Sequence, residues 1–239
     1  MTHELFYLHK FGKRGKKKLQ KKNLAKYSLI PSAAPFHLVS IFDISYLKFG
    51  SIKFYINNNY FILSELTNFF RTFNGLSYYS GQDIDLLQSD ILQKWNAYQA
   101  VSLRTTGDGN CLYNAISLSI FGNEDWSLDI KLCMIFILIE NENYFRDLIK
   151  KFRYEESFER LVEDSATIDE YGTEFNIMAL SLLFLRPIKC YSLSNLALNS
   201  DISKLGGYPI FLTLKSQHFT PIIPINYNFH INETNTDLV

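Results

Sequence analysis

The C-terminal half of the chain carries dense apolar patterns of two kinds. After Cys111, apolar or small residues recur at i, i+3, i+4 and i+7, which predicts a helix with one buried stripe. The same spacing predicts three further helices, at residues 127–152, 155–164 and 171–185. Shorter apolar runs predict strands at residues 188–191 and 209–214 and from Gln217 onward. These elements indicate an α+β (α/β layered) fold, in which a small central sheet is flanked by helices.

The N-terminal half is less regular. Residues 51–63 alternate around three consecutive asparagines, Asn57 to Asn59, which predicts a β-hairpin. Helices are predicted at residues 64–73 and 80–100. We therefore divide the chain into a basic flexible leader (1–34), an N-terminal α+β extension of hairpin and helices (35–97), a main domain (98–226) and a polar C-terminal tail (227–239).

Charge is distributed unevenly along the chain. Nine basic residues form a run without an acid between them: Lys10, Lys13, Arg14, Lys16, Lys17, Lys18, Lys21, Lys22 and Lys26. Without these nine, the 24 basic residues fall to 15 against 24 acidic ones, so the rest of the chain has a net charge of −9. The basic run predicts nucleic-acid binding or nuclear localisation, with a solvated tail as the alternative.

The cysteines indicate a reducing compartment. Cys111, Cys133 and Cys190 are odd in number and lack the spacing of metal ligands, and Cys133 falls on the buried face of its predicted helix. No apolar segment follows Met1, so we expect no secretory signal, and the longest apolar run, residues 132–139, is too short to span a bilayer. We expect a soluble, monomeric, intracellular protein with no membrane contact, cytoplasmic or, through its basic leader, nuclear.

The most specific stretch is residues 107–116, which read Gly-Asp-Gly-Asn-Cys-Leu-Tyr-Asn-Ala-Ile. The glycines permit a tight turn before the helix, so Cys111 would lie in the first helical turn, where the helix dipole favours the thiolate. The N–H groups of that turn would suit the oxyanion of a tetrahedral intermediate. Cys111 is therefore a candidate nucleophile; the alternative is a small buried hydrophobe beside a glycine-rich loop.

A thiol hydrolase also needs a general base beside the cysteine, and histidine is the residue most often used. Among His3, His9, His37, His218 and His230, only His218 lies within the dense pattern, at a strand edge after a turn. A histidine on a strand beside a cysteine at a helix N terminus can accept the thiol proton and later protonate the leaving amine. A structural histidine is the alternative.

Three segments resemble, in the same order, the motifs of the OTU (ovarian tumour) family of cysteine proteases. Asp108-Gly109-Asn110-Cys111-Leu112-Tyr113 with Ala115-Ile116 is similar to the nucleophile motif. Tyr171-Gly172-Thr173-Glu174 with Ala179-Leu180 is similar to the middle motif, and Gln217-His218-Phe219 to the His-aromatic motif. The resemblance extends from about residue 101 to residue 225 and includes nothing before about residue 98.

The resemblance implies a deubiquitinase, which hydrolyses the isopeptide or peptide bond after the C-terminal glycine of ubiquitin. In that case Cys111 is the nucleophile and His218 the general base and then acid, while Asp108, with Gly109 and Asn110, shapes the oxyanion loop. Ubiquitin or polyubiquitin conjugates are the implied partners, and no metal or organic cofactor is implied. A net-acidic body would suit the basic face of ubiquitin.

One position departs from the family pattern. Many members carry Asp or Asn two residues after the histidine, where it orients the imidazole; this chain has the uncharged Thr220. Three alternatives stay open: Thr220 suffices, another residue such as Asp108 or Asn110 takes over, or activity is low. The competing functions are a catalytically weak or inactive ubiquitin-binding module and a nucleic-acid-associated protein that acts through its basic leader.

Overall fold

A computed structural model describes residues 39–73, 79, 81–194, 198–199 and 207–225. The basic leader and the polar C-terminal tail that the sequence predicts, including the segment expected to bind nucleic acid, lie outside these residues. The chain divides into two units, Met1–Ser40 and Ile41–Val239. Every element given below belongs to the second unit.

The described part of this unit is mainly helical. Short 3-10 helices occur at Ile41–Asp43 and Leu86–Gln88. The α-helices are α1 (Phe49–Asn58), α2 (Tyr60–Thr72), α3 (Ser89–Lys94), α4 (Cys111–Phe121), α5 (Ser127–Glu140), α6 (Glu142–Phe152), α7 (Phe158–Ala166) and α8 (Glu174–Phe184). None of the helices in this part of the chain has the length and apolar character that crossing a bilayer would require.

The hairpin predicted for residues 51–63 is wrong, because α1 and α2 occupy this stretch with only Asn59 between them. The buried residues keep a helical phase across both helices: Ile52, Ile56, Leu63, Leu66 and Phe70. The asparagines end α1 instead of forming a β-turn, since the side chain of Asn59 donates to the carbonyl of Tyr55 at 2.8 Å. α1 packs on α7, and α2 packs on α5 and α8.

Two predicted helix lengths also need correction. The helix predicted for residues 80–100 is limited to α3, because Ile84 makes a β-bridge to Leu103 and Ala100 already begins a strand. The single helix predicted for residues 127–152 is two helices that meet at Asn141. The predicted core position of Cys133 on α5 is confirmed, since its side chain is fully buried.

The sheet is small and central. Its strands are β1 (Ala100–Ser102), β2 (Ile188–Tyr191), β3 (Leu198–Asn199), β4 (Ile210–Lys215) and β5 (His218–Pro224), arranged in the order β1-β5-β4-β2-β3. β2 and β4 are parallel, whereas the other neighbours are antiparallel. The predicted α+β fold, with a small central sheet flanked by helices, is confirmed.

The contact between α4 and β5 positions the candidate site. β4 and β5 form a hairpin whose two turn residues, Ser216 and Gln217, have φ values of 50° and 63°. Positive φ at both central residues matches the tight turn that two-residue hairpins favour. His218 is therefore the first residue of β5, and because α4 packs directly against this strand, Cys111 faces the start of β5.

Candidate active site

The loop before α4, residues 107–110, is held by its own polar side chains. One carboxylate oxygen of Asp108 accepts hydrogen bonds from the backbone N–H of Asn110 and from Nδ2 of Asn114, both at 3.0 Å. Nδ2 of Asn114 also donates to the carbonyl of Thr106 at 3.1 Å. Asp108 therefore ties the loop to the first turn of α4, as a loop-shaping residue would, and the structure shows no bond from its carboxylate to His218.

A second loop, residues 167–172, packs against the first. Nδ2 of Asn110 donates to Oδ1 of Asp169 at 2.9 Å. Gly109 has a φ of 78°, and a Cβ there would lie 1.9 Å from the carbonyl oxygen of Asp169. A Cβ on Gly172 would lie 2.2 Å from Cδ2 of Leu112. Both glycines belong to the motifs that resemble the OTU family, and both are needed because the two loops meet at backbone distance.

Cys111 lies in the first turn of α4 and is buried. Its thiol donates to the carbonyl of Gln217, with a distance of 3.7 Å from Sγ to the oxygen. Burial raises the pKa of the Cys111 thiol and the charge of Asp108 raises it further, while the backbone N–H groups of Phe219, Leu112 and Cys111 lower it. The net shift is upward, against the thiolate that the helix dipole was expected to favour. The N–H groups predicted beside the sulfur are nevertheless present.

The imidazole of His218 is oriented by Thr105, which the sequence analysis missed. Nε2 of His218 lies 3.1 Å from Oγ1 of Thr105. The Thr105 hydroxyl donates its own proton to the carbonyl of Phe219 at 2.7 Å, so it must accept the bond from Nε2–H. This network assigns the proton to Nε2 and leaves Nδ1 as an acceptor. The Nδ1 edge faces the nucleophile loop, since a Cβ on Gly107 would lie 3.9 Å from Nδ1.

Thr220 does not contact the imidazole in this structure. Its hydroxyl is fully buried and shares hydrogen bonds with the hydroxyls of Ser102 and Thr213 within the sheet. The contact expected of Thr220 is made by Thr105. No local sequence pattern marks Thr105, because its position follows from the antiparallel pairing of β1 with β5, which brings the end of β1 towards the start of β5.

A buried lysine beneath the nucleophile loop was also missed. Lys131 on α5 is 0% exposed, and its ammonium donates to Oδ1 of Asn110 at 2.9 Å and to the carbonyl of Thr167 at 2.6 Å. The ammonium also lies 5.1 Å from the centroid of the Tyr113 ring. Burial lowers the pKa of Lys131 to about 8, against the opposing effect of nearby carboxylates. The signal in the sequence was one lysine inside an otherwise apolar helical run.

The structure thus brings Asp108, Gly109, Asn110, Cys111 and His218 to one place, where α4 meets β5. Within the described ranges, no group of three or more His, Cys, Asp or Glu side chains could hold a metal ion. The chemistry that these residues offer is a thiol held against the backbone next to His218, a histidine whose Nδ1 is an acceptor, and the N–H groups of a helix N terminus.

Comparison with known proteins gives one family match. The family described as "Vertnin, OTU domain" matches residues 102–155, a segment that contains the nucleophile motif but ends before His218. No curated protein sequence matches the chain significantly.

Several solved structures share a likeness at low identity. The OTU domain of OTUD1 is 18% identical, with a TM-score of 0.46, and the match covers 57% of this chain and 97% of that chain. The OTU domain protease of Dera Ghazi Khan virus is 18% identical, with a TM-score of 0.42 over 52% of this chain and 81% of that one. The OTU of Hazara virus, solved bound to ubiquitin, is 16% identical, with a TM-score of 0.40, and the match covers 52% of this chain and 81% of that chain.

The family match covers the motif around Cys111, which is the part of the sequence that resembles the OTU family most specifically. The two remaining motifs meet this one in space, because Gly172 packs on Leu112 and the backbone on either side of His218 contacts the Cys111 thiol. The predicted resemblance to the OTU family is therefore confirmed, with the family match itself confined to residues 102–155.

Proposed function

We propose that this chain is a thiol-dependent deubiquitinase, which hydrolyses the bond after the C-terminal glycine of ubiquitin. One observation carries the proposal: the Cys111 thiol contacts the backbone on both sides of His218, through the carbonyl of Gln217 and the N–H of Phe219. This contact holds the nucleophile beside the base at a helix N terminus. The OTU resemblance of all three motifs supports ubiquitin as the substrate.

In the proposed mechanism, the thiol first leaves the carbonyl of Gln217 and gives its proton to Nδ1 of His218. The sulfur then attacks the substrate carbonyl carbon. The N–H of Cys111 supports the resulting oxyanion, because the N–H of Asn110 is already bonded to Asp108. Collapse of the intermediate forms a thioester and expels the amine, which takes the proton from the imidazolium. Water, activated by the same imidazole, hydrolyses the thioester and regenerates the thiol.

Thr105 acts in this mechanism as the positioning residue for His218. By accepting from Nε2–H, its hydroxyl selects the tautomer whose Nδ1 can take the thiol proton. A hydroxyl bears no charge, so it stabilises the imidazolium less than a carboxylate would. We therefore propose slower turnover than a carboxylate in this position would give.

The test is covalent labelling by ubiquitin that carries a C-terminal electrophile. We expect wild type and the Cys133→Ala/Cys190→Ala double variant to form the adduct, whereas Cys111→Ala does not, because Cys133 lies within α5 and Cys190 within β2, and neither is at the helix N terminus that faces His218. His218→Ala should label far more slowly. Each variant is first checked for folding by circular dichroism. A folded wild type that stays unlabelled, or a folded Cys111→Ala that labels fully, contradicts the proposal.

A second candidate is a ubiquitin-binding module without turnover. The raised thiol pKa and the bond from the thiol to the carbonyl of Gln217 favour it, since both hold the sulfur protonated. Binding of unmodified ubiquitin to the full chain, measured by calorimetry, distinguishes the two. Binding together with an adduct supports the hydrolase, whereas binding without an adduct supports the module.

A further inference from the structure

We propose that Lys131 is a positioning residue for the nucleophile, which acts through the side-chain amide of Asn110 to lock residues 107–110 against residues 167–170. The proposal rests on the proposed function, because it concerns the same thiol. Lys131 lies on α5, outside the three motifs that resemble the OTU family. Its ammonium touches neither the thiol nor the imidazole in any described contact, so its effect on the reaction must pass through the loops.

Lys131 lies in a part of α5 where packing alone would favour an uncharged side chain. Its neighbours along α5 are almost all apolar and buried, and its own side chain is 0% exposed. Burying an ammonium is costly unless it is paired and hydrogen-bonded. Here the ammonium donates to Asn110 Oδ1 and to the carbonyl of Thr167, which lie on the two loops, and both hydrogen bonds offset part of the cost.

Lys131 also fixes the orientation of the Asn110 side-chain amide. Oδ1 of Asn110 accepts from Lys131 Nζ and, at 3.4 Å, from the backbone N–H of Asp169. Nδ2 of the same amide donates to the carboxylate of Asp169. A flipped amide would point its NH2 group at an ammonium and its oxygen at a carboxylate, so only one orientation satisfies the network.

The Asn110 amide is linked to the Cys111 sulfur through the backbone of the first turn of α4. Asn110 immediately precedes Cys111, and its carbonyl accepts the first bonds of α4, from the N–H groups of Tyr113 and Asn114 at 2.9 and 3.0 Å. The residue that the lysine immobilises is therefore the one from which the nucleophile's helical turn starts. A loop held in this way keeps the Cys111 thiol and N–H in register with β5, and small displacements of reacting groups lower rates strongly.

The first arm of the test uses Lys131→Met, which keeps the length of the side chain and removes the ammonium. Cys133→Ala, two residues away on the same helix and pointing into the core, is the matched control for loss of packing. The readouts are kcat and KM on ubiquitin with a C-terminal fluorogenic amide. We expect kcat to fall about tenfold to a hundredfold in Lys131→Met with KM within about twofold, and both to stay near wild type in Cys133→Ala.

The second arm avoids the core altogether. Asp169 is exposed and has a φ of 68°, so Asp169→Gly keeps the backbone conformation while removing the partner of Asn110. Glu170→Ala is the control, because it removes a neighbouring exposed charge that also acts on Lys131. We expect Asp169→Gly to lower kcat about tenfold and Glu170→Ala to leave it unchanged.

A third readout needs no ubiquitin: the rate at which iodoacetamide alkylates Cys111 in a Cys133→Ala/Cys190→Ala background. We expect Lys131→Met and Asp169→Gly to change this rate severalfold and Glu170→Ala to leave it as in the background protein. If wild type proves inactive on ubiquitin while these alkylation differences hold, the proposed function fails and the role of Lys131 stands. Unchanged kcat and alkylation in a folded Lys131→Met, or in Asp169→Gly, overturn the proposal for Lys131.

Discussion

The two sides of the cleft are held in place by different means. On the nucleophile side, a buried amide connects three separate elements: residues 107–110, α5 and residues 167–170. Several charged groups and two glycines take part in this network. On the histidine side, one neutral hydroxyl, that of Thr105, meets the imidazole, and the chain enters β5 through a two-residue turn.

This difference indicates where each side is vulnerable. The nucleophile side depends on close backbone approach and on charge, so it should respond to added volume and to pH. The histidine side depends on one hydrogen bond to a neutral hydroxyl, so it should respond to loss of a single oxygen. Three substitutions test this contrast.

The largest effect is expected at Gly109. Gly109→Ala places a methyl group 1.9 Å from the carbonyl oxygen of Asp169, so the loops must separate. Gly81 is a matched control, since its φ of 77° is almost the same as that of Gly109 and a Cβ there meets nothing within 4 Å. In chemical unfolding we expect Gly81→Ala to cost about 1 kcal/mol and Gly109→Ala at least about 3 kcal/mol, with activity lost. Equal costs would mean that the loops separate freely.

An intermediate effect is expected at Thr105. Thr105→Val keeps the shape and removes the acceptor of the His218 Nε2 proton, so kcat should fall about tenfold to a hundredfold while Thr105→Ser retains most activity. Thr220→Val is the matched control, because it removes an equally buried hydroxyl that bonds only within the sheet. It should lower the melting temperature and leave kcat unchanged. If Thr220→Val lost activity and Thr105→Val did not, the roles of the two threonines would be reversed.

The same contrast explains what could be predicted from the sequence. The nucleophile motif around Cys111 is local, since turn and helix start fall within about ten residues, and the structure has both as predicted. The single buried stripe predicted for this helix is wrong, because α4 is buried on almost every side and Ser119 of that stripe is only half-buried. His218 was selected by its place after a turn, and the hairpin confirms that place. The mixed fold followed from the succession of helices and strands, which is also a property of sequence order.

The misses share a dependence on contacts between distant parts of the chain. Thr105 meets His218 across 113 positions because two strands pair, and Lys131 meets Thr167 across 36 positions because α5 passes under both loops. The hairpin predicted for residues 51–63 fails for a related reason. An alternating pattern there also fitted a helical one, and packing of α2 on α5 and α8 decides between them.

The smallest effect is a pH dependence confined to the nucleophile side. Burial lowers the pKa of Lys131 from 10.5 to about 8, although Asp169, Glu170 and Asp108 face it and act to raise the pKa. Between pH 8 and pH 10.5, approximately, Lys131 is protonated in the unfolded chain and neutral in the folded one. The contribution of Lys131 therefore makes the free energy of unfolding rise with pH. From pH 7.5 to 8.5 Lys131 should add about 0.7 kcal/mol to the free energy of unfolding. The buried cysteines, whose pKa values burial raises, act in the opposite direction because they titrate near about pH 8.5 once unfolded.

The measurement is urea unfolding of wild type, Lys131→Met and Thr105→Val at about pH 7.5 and about pH 8.5. The change in the free energy of unfolding between these pH values should be about 0.7 kcal/mol more positive in wild type than in Lys131→Met, which has no ammonium to titrate. Thr105→Val should behave as wild type, because Thr105 lies on the other side of the cleft. Asp169→Gly gives a further check. It removes a charge that favours the ammonium, so the pKa of Lys131 falls further and the lysine's contribution to the free energy of unfolding begins at lower pH. Equal pH dependence in wild type and Lys131→Met would show that the lysine does not titrate in this range. The claim that charge makes the nucleophile side respond to pH would then be wrong.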